Sequence, residues 1–372
     1  MLGNMLGERL SMITFGESHG RCVGVVVDGC PAGLPLKEED IQHKLDLRKP
    51  GQSIVTTQRR EEDRVEILSG VFNGYTTGAP ICMIIWNKDQ DSRAYEQIRL
   101  KPRPGHADYP AYVKYAGYND YRGGGRFSGR LTAALVMAGA LAEKLLAYTL
   151  GIEVIAYTLE IGSIRMDPNL SIDAKRLRYS NDVRCPDTNA AEPMREAIIR
   201  ARKDGDSLGG IVECVALNMP IGLGEPIFGA LESDLSRALF SIPAVKGVEF
   251  GSGFHGSRMR GSDNNDPYTV KDGKVVTLSN NAGGILGGLS NGMPLLLRVA
   301  FKPASSIAKT QSTVDLGSMK DTEIVVAGRH DPCVVPRAVP VVEAMVAFIL
   351  ADHAIRAGMI KPVLKASSDV HE

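Results

Sequence analysis

The chain has 372 residues, 44% of them hydrophobic, and its 43 basic and 43 acidic side chains cancel. That is enough apolar material for one large domain or two ordinary ones. Zero net charge argues against nonspecific binding to nucleic acid or to a membrane surface, so only local charge is informative. The six cysteines include no Cys-x-x-Cys pair, which disfavours a zinc ribbon or redox couple. They read as buried free thiols of a reducing, cytoplasmic compartment. No secretory signal opens the chain. The longest apolar stretch, 131–150, contains Glu143 and Lys144 and reads as a buried helix, not a membrane span.

In chain order, Val23 to Val27 is β-branched and ends at Asp28-Gly29, the pattern of a strand and turn. Lys37 to Lys49 spaces Ile41, Leu45 and Arg48 on one helical face and stops at Pro50-Gly51. Arg64 to Phe72 and Pro80 to Trp86 read as paired strands, with Asn73-Gly74 as a turn. Ser128 suits the N-cap of a helix running to about Ala147. Glu192 to Lys203 reads as a helix stopped by Gly205, and Gly210 to Leu217 as a strand. Asn280 to Gly292 reads as a loop, and Pro336 to Ala357 as a long helix with Pro340 in its first turn. Strand, proline-containing turn and helix occur twice, from Val23 and again from Ile211, which either chance or a duplicated half explains. Short turns between antiparallel strands, with helices grouped apart and no linker, point to one compact α+β domain over 1–372. Its tail, from about 362 to 372, reads as mobile.

Two histidines sit in glycine-flanked loops: His19 in Gly16-Glu-Ser-His-Gly20 and His106 in Arg103-Pro-Gly-His-Ala-Asp108. Histidine exchanges a proton near neutral pH, and glycine lets backbone approach a ligand. Gly123-Gly-Gly-Arg-Phe-Ser-Gly-Arg130 opens a helix, where free N–H groups favour an anion. Arg48-Lys-Pro-Gly51, Lys302-Pro-Ala-Ser-Ser306 and Gly328-Arg-His-Asp-Pro332 add cations and hydroxyls. Together they suggest proton transfer on a small anion. No metal-ligand spacing appears.

The chain also resembles the chorismate synthase family almost end to end. The resemblance rests on Thr14-Phe-Gly-Glu-Ser-His-Gly20, Tyr121 to Arg130, and Gly328-Arg-His-Asp-Pro-Cys-Val leading to Arg337-Ala-Val-Pro-Val-Val-Glu343. Thr56 to Glu61, Arg103 to Asp108, Ile242 to Glu249 and Asn281 to Gly288 support it. It implies antiparallel sheets packed around a helical core. It implies conversion of 5-enolpyruvylshikimate 3-phosphate to chorismate and phosphate, with reduced FMN and a homotetramer. Whether the protein reduces its own flavin with NADPH or uses an external flavin reductase stays open.

By the same resemblance, His19, His106 and Asp331 are catalytic, and Ser18, Arg48, Arg103, Arg130 and Arg329 bind substrate. Arg126, Phe127, Ser128, Pro243, Ala244 and Gly287 then contact flavin, as do Lys302, Pro303, Ala304, Ser305, Ser306 and Arg329. The chain departs from the family at Ile54, where a second arginine is common, and at Phe127, where serine is frequent. The competing reading is a catalytically weak relative that senses an anionic metabolite. An RNA-binding role fits poorly with zero net charge.

Overall fold

A computed structural model describes residues 3–51, 62–88, 92–326 and 330–364. Two five-stranded antiparallel sheets organise it. The first contains β1 (Met5–Leu6), β2 (Ser11–Gly16), β3 (Cys22–Asp28), β4 (Val65–Ile67) and β5 (Ile81–Trp86), in the order β1-β2-β3-β5-β4. The second contains β6 (Glu153–Ile161), β7 (Ile164–Arg165), β8 (Gly210–Leu217), β9 (Val245–Phe250) and β10 (Leu295–Phe301), in the order β7-β6-β8-β10-β9.

Four helices pack between the sheets: α1 (Glu38–Arg48), α2 (Thr132–Leu150), α3 (Leu231–Phe240) and α4 (Val335–Arg356). In each half, leaving aside small hairpins and helices such as Thr188–Lys203, three strands, a helix, two strands and a helix follow in chain order. The last two strands enter the sheet in swapped positions both times. The twofold echo is therefore a duplicated architecture, with β3 and β8 as the matching central strands.

Local chemistry accounts for the elements. Val23, Val25 and Val27 are fully buried, and β-branched side chains suit a strand packed on helices. Helix α1 carries Glu38, Glu39 and Asp40 in its first turn and Arg48 in its last, matching the helix dipole. Helix α2 is rich in Ala and Leu and ends at Gly151 in the left-handed conformation. All but three of the 22 residues of α4 are buried. Helices α2 and α4 are long and apolar enough to cross a membrane, yet both are enclosed by the fold. They cross closely at Gly139, where a Cβ would come within 2.2 Å of the Ala344 side chain.

Some expectations shift. The helix assigned to Glu192–Lys203 begins at Thr188, because Asp187 caps it by accepting from the Asn189 N–H. Pro340 lies in the second turn of α4, not the first, because the helix already starts at Val335. The loop at 280–292 contains a small hairpin, Ile285–Leu286 with Leu289–Ser290. Asn73-Gly74 does turn a hairpin, but between Val71–Phe72 and Tyr75–Thr76, while β4 pairs directly with β5. Four of the cysteines are buried, whereas Cys22 and Cys82 are half-buried. Pro362 and Leu364 are tied by backbone hydrogen bonds to Ala32. The remaining tail, 365–372, lies outside the described residues.

Candidate active site

A cavity of about 580 Å³ opens where loops from the two halves meet. Its first-half wall comes from the β2–β3 turn, the end of α1, the loop at 103–107 and the glycine-rich approach to α2. Its second-half wall comes from the segment after α3, the segment after β10 and the approach to α4.

The three consecutive glycines explain how two histidines fit. All three have positive φ, which L side chains rarely adopt. A Cβ on Gly123 would lie 2.3 Å from the His19 ring, and one on Gly124 would lie 3.2 Å from the His106 ring. One on Gly125 would strike the Asp120 carbonyl at 2.1 Å. The same turn thus backs both imidazoles. His19 is buried, its Nδ1 is 2.9 Å from the Ser92 hydroxyl, and its ring meets the Tyr95 ring edge-on at 5.3 Å. The Arg103 guanidinium lies over the other side of this contact, 5.7 Å from the Tyr95 ring centre.

His106 Nδ1 is 2.6 Å from Asp108, whose other contacts are the Nε, Nη2 and backbone N–H of Arg103. Burial alone would raise the Asp108 carboxyl. The hydrogen bonds from Arg103 and His106 outweigh it and hold the group well below the usual carboxylate range.

Asp63 organises a second cluster. It accepts from Arg48 Nη1 at 2.8 Å and, on its other oxygen, from Arg130 Nη1. Arg48 also donates to the Thr132 hydroxyl at 3.0 Å and to the Gly129 carbonyl at 3.1 Å. Burial pushes Arg48 down to about 9, with Asp63 opposing the drop and Arg337 and Arg130 adding to it. Burial would raise Asp63, but Arg48 and Arg130 hold it low. Arg130 spends Nε on Asn87, while its buried Nη2 has no hydrogen-bond partner among the described residues. A buried, unmatched guanidinium N–H is a vacancy for an anion.

Asp331 is paired with Arg337, whose Nε donates to the Arg48 carbonyl at 3.2 Å. Lys302 donates to the Ser305 hydroxyl at 2.9 Å, and Ser305 donates to the Gly105 carbonyl at 2.9 Å. The segment after β10 is thereby stapled to the His106 loop. Burial, then repulsion from Lys246, lowers the Lys302 amine.

The cavity brings together Ser18, His19, Arg48, Arg103, His106 and Arg130, together with Asp331. It also gathers Arg126, Phe127, Ser128, Pro243 and Ala244, and from the 302–306 segment Lys302, Ala304, Ser305 and Ser306. Ala244 holds a positive φ of 74°, and its carbonyl accepts from the Lys302 N–H. Pro303 is adjacent but does not line the cavity. Gly287 turns the small hairpin at 285–290 and also lies outside the lining. Arg329, Ile54 and the Thr56–Glu61 motif fall outside the described residues.

Sequence reasoning did not find Asp63, Ser92 or Tyr95, and it named Lys246 and Arg337 only as parts of motifs, without a role. Asp108 was visible only as part of a motif. The His-x-Asp spacing was the one local signal for its role. Among the described residues no cluster of three or more His, Cys, Asp or Glu side chains could hold a metal.

Fold and site together define an enzyme that gathers two imidazoles and several cationic groups around a small cavity. A family model described as chorismate synthase matches residues 10–355. The chain is 62% identical to the chorismate synthase of Korarchaeum cryptofilum (strain OPF8), over 96% of this chain and 98% of the relative. It is 56% identical to the chorismate synthase of Dehalococcoides mccartyi (strain BAV1), over 98% and 100%. A crystal structure of chorismate synthase superimposes with a TM-score of 0.74 at 32% identity, covering 94% of this chain and 93% of that one. The chain belongs to the chorismate synthase family, and is a lyase of aromatic amino-acid biosynthesis.

Proposed function

We propose that the protein converts 5-enolpyruvylshikimate 3-phosphate to chorismate and inorganic phosphate by trans-1,4-elimination, with reduced FMN bound. The observation that carries this is the pair of histidines backed by one glycine turn at a cation-lined cavity. The residues present fit a flavin mononucleotide. Among the described residues Arg126 is hydrogen-bonded to the Gly16 carbonyl and to Asn4 and Thr14 oxygens, and Lys302 to a hydroxyl and a carbonyl, neither to a carboxylate. Arg126, Phe127, Ser128, Pro243, Ala244 and the 302–306 segment would hold the cofactor, with Gly287 and Arg329 added from the family pattern. Bound reduced flavin supplies transient electron density, chemistry that side chains do poorly.

The chain's own groups do the rest. Arg48, Arg103, Arg130 and Arg329 hold the substrate's carboxylates and phosphate, and Ser18 adds a hydroxyl. His19 gives a proton to the departing phosphate. His106 holds the proton balance at the cofactor end of the cavity, and Asp331 assists removal of the substrate proton. General acid–base help of this kind contributes roughly 10²–10⁴ in rate. The protein works as a cytoplasmic homotetramer, and an external reductase or NADPH keeps the flavin reduced.

The test is an anaerobic assay that follows chorismate and phosphate together. Both should appear in equal amounts only with FMN kept reduced. Equal turnover with oxidised FMN would overturn the mechanism. Tight substrate binding with no turnover would establish a sensor instead.

A further inference from the structure

We infer that Asp108 is a positioning residue that fixes His106 in its Nδ1–H tautomer and so reserves Nε2 as the nitrogen that takes or gives the proton. The inference rests on the reading of His106 as a proton carrier.

The geometry is over-determined. Oδ2 of Asp108 accepts from the Arg103 backbone N–H at 3.1 Å and from its Nε at 2.7 Å. Oδ1 accepts from Arg103 Nη2 at 2.8 Å and faces His106 Nδ1 at 2.6 Å. A carboxylate this thoroughly supplied with donors is an acceptor only. Two lone pairs cannot face each other at 2.6 Å, so Nδ1 carries hydrogen.

Arg103 Nη2 also lies 3.1 Å from Nδ1 and, more distantly, 3.4 Å from Nε2. It would donate there if Nδ1 were bare, but Asp108 Oδ1 sits within bonding distance of both groups and takes both hydrogens. The ring is also backed on one side. Gly124 backs it so closely that a Cβ would lie 3.2 Å from Cε1. On the far side of the loop Ser305 holds the Gly105 carbonyl. Which nitrogen of a histidine is protonated is set by what the other nitrogen bonds, and an acid orienting an imidazole is a recurrent device.

Asp108 thus does for His106 what a hydroxyl, that of Ser92, does for His19. The two imidazoles are held by partners of opposite adaptability. Ser92 can donate or accept, so this contact does not select a His19 tautomer. Asp108 accepts only, so its contact selects Nδ1–H.

The experiment labels the intact protein with ¹⁵N-histidine. It reads ring nitrogens by solid-state NMR, with His106→Asn identifying the His106 signals among the seven histidines. In the parent, neutral His106 should show a protonated Nδ1 and a bare Nε2. Asp108→Asn can donate to Nδ1 and should reverse the pattern. It should lower kcat on the order of 10²-fold or more, as loss of a tautomer-fixing acid does elsewhere. Asp108→Glu should restore the Nδ1–H pattern and part of kcat.

A parent protein with Nε2–H would overturn the inference, whatever the variants do. So would an unchanged pattern in Asp108→Asn. Should that variant fail to fold, the parent spectrum and Asp108→Glu still decide. A correct tautomer in a parent that makes no chorismate would instead sink the proposed function and leave the positioning intact.

Discussion

The two halves of the molecule share one strand order and one sequence of elements, yet they bring different chemistry to the same cavity. The comparison can be made segment by segment. The end of α1 gives Arg48, whereas the segment after α3 gives Ile242 to Ala244. The approach to α2 gives a glycine turn and two arginines; the approach to α4 gives Asp331 and, in the helix itself, Arg337. The stretch beyond β5 leads to Ser92 and Tyr95 around a histidine, while the stretch beyond β10 gives Lys302 and two serines. Both histidines proposed to transfer protons come from the first half. The fold fixes where loops converge, and the loops alone decide what each side does.

If that division is right, breaking the first half should stop chemistry. His19→Ala and His106→Ala should each lower kcat by roughly 10²–10⁴ with the fold intact. A folded variant within about threefold of the parent would remove that histidine from the mechanism.

Asp63 tests the first half's scaffolding. Asp63→Ala leaves Arg48 and Arg130 buried without their shared carboxylate. Breaking such a pair costs about 3–5 kcal/mol, which denaturant unfolding should register. A loss under about 1 kcal/mol would mean that water or another group compensates.

The second half should show itself in binding. Lys302→Ala removes a charge-assisted contact of about 1.5–3 kcal/mol. Flavin affinity should fall roughly 10- to 100-fold while kcat at saturating cofactor changes little. A collapse of kcat with unaltered affinity would reverse the assignment.

The smallest effect concerns the seam between the halves. There Glu143 of α2 shares Lys44 of α1 with Glu343 of α4. Burial, with Glu343 opposing the pull of Lys44, pushes the Glu143 carboxyl up to about 7. A carboxyl raised by folding contributes fully below its unfolded value, about 4.3, and loses that contribution as pH rises through the folded value. Parent stability should therefore fall, relative to Glu143→Gln, between about pH 4 and 7. Parallel pH profiles would show that Lys44 keeps the carboxyl ionised throughout.

The sequence made legible what is decided locally. Val23 to Val27 announces β3 through β-branched residues, and Ser128 caps the 3-10 turn Gly129–Leu131 that leads into α2, although α2 itself begins at Thr132. The twofold strand–turn–helix echo was visible for the same reason. The swapped strand order was not, because it depends on pairings such as Val65 with Ile85 across an intervening hairpin. The site divides in the same way. His19, His106 and the glycine run are marked by composition. Asp63 bonds Arg48 across 15 residues and Arg130 across 67, so no window of sequence contains its role. Arg337 hides in a helical pattern until Asp331 is seen beside it. Gly287 is named by a family motif and turns a small hairpin, so its place in the site is carried by the resemblance alone.

One feature of the cavity bears on how fast it fills. Arg48, Arg103, Arg130, Arg337, Lys246 and Lys302 surround it, whereas the carboxylates beside them are Asp63, Asp108 and Asp331. A protein with no net charge at all thus presents a positive mouth. Field lines from such a cleft reach outward through solvent and draw in anions before contact, raising association rates by 10–10³. The pull extends about 10 Å at 0.1 M salt and shrinks as ions are added. Capture of a phosphorylated, doubly carboxylated molecule should therefore slow with ionic strength even where its final grip barely changes.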